Sequence, residues 1–240
     1  MQTSPLKHWA LLGYLVLVWG FAFALIAVAL DSLHPTFIVW CRLWMGAVVM
    51  WGVWRWKGGS WPLGVVWWPR LVLLSVAGNI IPFSLIAWAE LSVPSAEVGI
   101  LMALMPIATL LLAHWLLEHE PLTWLRFCGV LMGFAGVGLL VGEDLFQSGT
   151  QGQLPGQLAT LLATLSYAFN GVYAKRIPDA DPVALSLGTL AVGGLILAIP
   201  ACLLQSAGAG FAFTAEAVSV LFILGVMGTG LATWAFFVVV

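Results

Sequence analysis

Eight stretches of this 240-residue sequence stay apolar for about twenty residues at a time, and no other feature restricts its fold as much. They lie near 9–30, 35–54, 69–91, 95–117, 122–142, 155–175, 182–204 and 216–240. At about 1.5 Å of rise per residue, such a helix crosses the roughly 30 Å hydrocarbon core of a bilayer. A spanning backbone must satisfy its own hydrogen bonds, which a helix does within one segment. The expected fold is therefore an all-α polytopic membrane protein of eight transmembrane helices.

The composition excludes the alternatives. The chain is 62% hydrophobic and 8% charged, with a mean hydropathy of +1.07; soluble domains run at about 45–50% apolar and about 25% charged. A net charge of −2 without a basic cluster leaves no nucleic-acid surface. Cys41, Cys128 and Cys202 sit in apolar runs without CxxC spacing, so they read as packing residues, and neither metal nor cofactor is expected. The first run follows Lys7 and spans 22 residues, against about 7–15 for a signal-peptide core, which favours a retained helix.

Basic residues orient the helices. With the N-terminus cytoplasmic, Lys7, Arg55, Lys57, Arg70, Arg126, Lys175 and Arg176 all fall at inner ends or loops, seven of the eight in the chain. That is the positive-inside asymmetry of a cytoplasmic (inner) membrane protein. Tryptophans 9, 54, 56, 61, 67, 68, 115 and 124 gather at the same boundary as an interfacial belt.

Residues 94–142 form the most specific stretch. An apolar run carries Met105-Pro106 at its middle, the loop Glu118-His119-Glu120-Pro121-Leu122-Thr123 follows, and the next run carries Gly129, Gly133, Gly136, Gly138 and Gly142. A mid-span proline needs neighbours or a wet cavity to repair its lost hydrogen bond, and glycines four apart admit a close-packed helix. Glu120 suits the start of the fifth span as a cap. In this order the pattern resembles the EamA-type family of drug/metabolite transporters, and the resemblance implies a secondary transporter built from two five-span repeats.

Laid on itself, the chain shows an internal repeat. Trp19-Gly20-Phe21 falls on Tyr167-Ala168-Phe169 and Asp31 on Asp179 at an offset of 148, and Gly78-Asn79 on Gly228-Thr229 at 150. An odd number of spans per unit inverts the second copy, an architecture that places substrate sites at midplane. Residues 1–143 then form the first repeat, and 144–240 hold three of the five spans of the second. About fifty further residues are expected beyond Val240 by the repeat offset.

Polar groups inside spans are costly and mark candidate sites. Arg42 either snorkels outward or pairs structurally, or else faces a cavity and attracts an anionic group such as a carboxylate. Asn79, Phe83, Ile86 and Glu90 share one helical stripe beside Pro82. Glu90 reads equally as a surface carboxylate pairing Arg42, and Asn79 as an interhelical hydrogen bonder. Ser166, Asn170 and Tyr173 form a second stripe, Trp19 and Tyr167 occupy matching places in the halves, and Thr229 and Thr233 complete a modest polar set. His114 and Glu118 share a face, with an interfacial pair the plainer reading.

The expected substrate site is Trp19, Asn79, Trp88, Glu90, Ser166 and Asn170, with Arg42 and Glu90 as an ion pair or anion contact. No catalytic motif such as HExxH, GxSxG or a P-loop is present. The expected partners are the lipid bilayer and a small-molecule substrate, with a homodimer allowed; the cargo implied by the resemblance is an amino acid or related metabolite. Two rival readings are a channel-like or non-transporting membrane protein and a lipid-acting membrane enzyme.

Overall fold

The computed structural model describes residues 5–58, 64–117, 123–146, 153–177, 180–207 and 214–239, without the side chains of Pro5, Phe134 and residues 137–146. Among these the chain is helical and has no strand. Its α-helices are α1 (Pro5–Leu30), α2 (Pro35–Trp56), α3 (Trp68–Ser75), α4 (Ile81–Ala89), α5 (Ser95–Met102), α6 (Met105–Leu116), α7 (Trp124–Phe146), α8 (Leu154–Ala174), α9 (Pro182–Ala207), α10 (Ala215–Gly225) and α11 (Ala232–Val239).

Among the described residues, six helical stretches are long and apolar enough to cross a membrane: Leu6–Leu30, Pro35–Trp56, Val65–Ala89, Ser95–Leu116, Pro182–Ser206 and Ala215–Val239. The other two expected crossings fall on α7 and α8. The latter is helical over 21 residues but mixes its polarity. Gln157, Thr160, Thr164 and Asn170 are buried, while Leu158, Leu162 and Leu165 are exposed. Polar groups inward and leucine outward is the arrangement a lipid solvent favours.

Helix starts follow local chemistry. Asp181 accepts from the N–H groups of Val183 and Ala184 at 2.8 and 2.9 Å, with Pro182 in the first turn of α9. His34 Nδ1 accepts from Thr36 N–H before Pro35. Thr123 Oγ1 accepts from Arg126 N–H at 3.4 Å at the start of α7. The cap expected from Glu120 lies outside the described residues, as do Trp61, Asp179 and the His114 partner Glu118.

The core is built on α2 against α9, whose buried residues include Ile38, Leu43, Met50 and Leu190. The first helix lies along α10 and α11, and α8 lies along α4 and α6. The glycine ladder of α7 packs less than expected. A methyl group at Gly133 would meet Ile107, but one at Gly129 or Gly136 would meet nothing within 4 Å. Gly138 and Gly142 lie outside the described side chains. The reason is position: among the described residues α7 lies chiefly against α5, with Gly133 facing Ile107 of α6.

Two membrane helices change register. Val76–Ile80 and Val226–Leu231 are π-helical, joining α3 to α4 and α10 to α11. Pro82 accounts for the first. It has no N–H for Gly78, and Ile81 N–H bonds to Val76 O instead of Ala77 O. The Ala77 carbonyl loses its α-helical donor, and its five-residue donor would be Pro82. Ser166 on α8 donates to it at 2.8 Å. In the second segment, Ala232 N–H bonds to Met227 O and Thr229 Oγ1 donates to Leu224 O, five residues back, at 2.8 Å. Tyr14 Oη donates to Met227 O at 2.8 Å and Trp19 Nε1 to Gly228 O at 3.3 Å, both from α1.

Pro106 ends one helix and starts another. The span 95–116 breaks at Ala103-Leu104, and Pro106 occupies the first turn of α6.

Candidate functional site

The first π turn and the proline break border one cavity of about 390 Å³, to which the helix after the second π turn contributes Thr233, Phe236 and Phe237. That falls within the usual range for small-molecule sites, about 300–1,000 Å³. Short loops make consecutive spans run antiparallel, so residue counts along each helix give depth. Ile26, Arg42 and Ile86 line the end near the α1–α2 and α4–α5 loops, and Lys175, Leu74 and Phe237 line the opposite end. Between them lie Trp19, Phe23, Phe83, Tyr167 and Phe236, with Asn79 and Asn170 at the level of the first π turn.

Arg42 dominates the electrostatics. It is 2% exposed, its Nε donates to Thr229 Oγ1 at 3.3 Å, and its guanidinium carbon sits 4.1 Å from the centre of the Phe83 ring. It therefore turns into the bundle rather than snorkelling. Neither contact neutralises the charge. Glu90 lies within electrostatic reach of Arg42 but makes no hydrogen bond to it, its carboxylate oxygens being shielded. Glu90 is the C-cap of α4, one residue past its last helical turn, and it is absent from the cavity wall while Asn79, Phe83 and Ile86 share that wall.

Of the other expected site residues, Trp19, Asn79 and Asn170 line the cavity. Ser166 is committed to the Ala77 carbonyl behind the wall. Trp88 is 48% exposed on the outer face of α4. The Asn170 amide lies against Gly78 so closely that a methyl group there would come within 2.6 Å of it. A side chain of α8 thus rests on the backbone of the π turn, with Asn170 Oδ1 buried and accepting no hydrogen bond.

Several lining residues carry no strong signal in the sequence. Met102, Met105 and Thr109 flank the Pro106 break, and Thr109 Oγ1 donates to Met105 O at 2.8 Å. The proline could have marked their level. Lys175 reads from the sequence only as an orienting charge, yet it lies at the cavity mouth. Phe236 and Phe237 sit in an unbroken apolar run, where nothing separates a lining residue from a lipid-facing one.

The chemistry on offer is a cationic, aromatic-walled chamber between membrane-crossing helices, without a nucleophile–base pair among its lining residues. One solved structure, titled only "Crystal structure of protein", aligns with a TM-score of 0.72 at 21% identity, covering 98% of this chain and 79% of that one. The likeness concerns the fold. No curated protein matches the sequence. The model of the EamA-like transporter family matches residues 7–142, more than half of the chain and all of the stretch whose proline and glycine pattern suggested it. The chain is a multi-pass membrane protein that belongs to the EamA-like transporter family, within the drug/metabolite transporter superfamily.

Proposed function

We propose that the chain is a secondary transporter that moves a small metabolite, an amino acid or a related compound, across the cytoplasmic membrane by alternating access, with its N-terminus inside. The observation that carries this reading is the cavity itself: a chamber of about 390 Å³ bounded by a buried arginine, two asparagines and six aromatic residues at spanning depth. Helix breaks at that depth are where transporters place their binding sites.

The pairing of the π turns supports two inverted repeats, 1–143 and 144–240. Gly78-Asn79 and Gly228-Thr229 lie in the two turns. The helix that opens each half braces the turn of the other half: Trp19 bonds to Gly228 O and Ser166 to Ala77 O. Such an exchange gives two bundles that can rock about the α2–α9 pair.

Counterflow in proteoliposomes tests the proposal. A carrier gives saturable exchange of labelled substrate against unlabelled substrate; a channel-like protein gives unsaturable flux, and a scaffold gives none. Asn79→Ala at equal expression should lower exchange severalfold, and unchanged exchange would remove Asn79 from the site.

A further inference from the structure

The charges on the cavity wall go beyond the transporter reading and, resting on it, narrow the cargo. Two lining residues are cationic, the buried Arg42 at one end and the exposed Lys175 at the other, and none is acidic. Arg42 is 2% exposed and uses only its Nε in a hydrogen bond, to Thr229. An arginine side chain carries five N–H donors, so four remain without a protein acceptor among the described residues. Buried guanidinium donors left in that state are unfavourable even with the Glu90 carboxylate within electrostatic reach, and a carboxylate bound in bidentate fashion would relieve them.

An ammonium group finds the reverse. No carboxylate lines the cavity to receive it. Four carbonyls in or beside the π turns already accept from side chains of the protein: Ala77 O from Ser166, Met227 O from Tyr14, Gly228 O from Trp19 and Leu224 O from Thr229. The space between the cations is aromatic, with Phe23, Phe83, Tyr167, Trp19 and Phe236 on the wall. Phe83 and Tyr167 meet edge to face at 6.3 Å, which leaves ring faces for a flat apolar body.

We propose that the cavity takes an organic monoanion with an aromatic or similarly flat apolar body, its carboxylate on Arg42, and discriminates against the zwitterionic amino acid of the same shape. Lys175 draws the anion to the mouth and Arg42 receives it inside.

Three probes of nearly equal size separate the charges: 3-phenylpropanoate, phenylalanine and 3-phenylpropanamide. The readouts are thermal stabilisation of the detergent-purified chain and counterflow in proteoliposomes at pH 8, corrected for protein-free vesicles. The anion should stabilise and exchange, with the amide weaker by at least about tenfold for the loss of one charged contact, and phenylalanine by as much for burying an unpaired ammonium. Arg42→Gln should abolish the preference for the anion over the amide. Lys175→Gln, at an exposed position, should slow entry without removing binding and remains informative if the Arg42 variant fails to fold. Phenylalanine binding as well as the anion would overturn the inference and leave the transporter reading intact. The same holds if none of the three binds while another metabolite shows saturable exchange. Absence of saturable exchange for every solute tried would overturn both.

Discussion

The π turn at Val76–Ile80 and the one at Val226–Leu231 bend their helices at matching depths by different chemistry. The first is forced by its own sequence: Pro82 removes a donor, and one hydroxyl from α8 repairs the carbonyl left over. The second has no proline. It is held from outside, by Tyr14 and Trp19 on its carbonyls, Arg42 on Thr229, and the backbone of α2 pressed against Gly230. A bend written into its own segment tolerates weak neighbours, whereas one written into its surroundings depends on them. The second turn should therefore be the more sensitive to substitution.

The largest effect is expected at Gly230. A methyl group there would stand 3.0 Å from Gly46 Cα and 3.2 Å from Gly46 O, and backbone cannot step aside. Gly230→Val should destabilise the chain by about 3 kcal/mol, the upper part of the overpacking range, seen as lost thermal stability in detergent. The three atoms nearest a methyl group at Gly78 all belong to the Asn170 amide, so the cost of Gly78→Ala, about 1–3 kcal/mol, should be largely recovered in the Gly78→Ala, Asn170→Ala double variant. If the recovery fails, the first turn is also held by its surroundings and the contrast collapses. Thr229→Val removes the acceptor of Arg42 and should cost about 1–2 kcal/mol, with a matching loss of anion binding. The smallest effect belongs to Ser166→Ala, about 0.6 kcal/mol, the average for hydrogen bonds between membrane helices. A larger loss there than at Thr229 would reverse the ranking of the two turns.

That contrast also explains what can be read from one sequence. Pro82 and Pro106 announce helix breaks because their effect is local, and Asn79 and Asn170 stand out because amides are rare in apolar runs. The role of Gly230 depends on Gly46, at a place fixed only by packing. Thr229 was visible as a hydroxyl, but its bond to Arg42 spans 187 positions. Trp88 and Phe236 show the limit most plainly. Both are aromatics in spanning helices, yet one faces outward and the other lines the cavity, because inside and outside are equally apolar in a membrane.

The bracing of the second π turn by the first helix has a consequence for biogenesis. Tyr14 and Met227 are 213 positions apart in the chain. At synthesis rates of about 5–20 residues per second, α1 enters the bilayer roughly 10–40 seconds before its partner is made. Through that interval the Tyr14 hydroxyl and the Trp19 indole N–H must find other acceptors, in lipid headgroups, the insertion machinery or an insertase. The first helix is thus threaded early and seated late, and nascent chains halted before residue 226 should present α1 to cross-linkers that longer chains exclude.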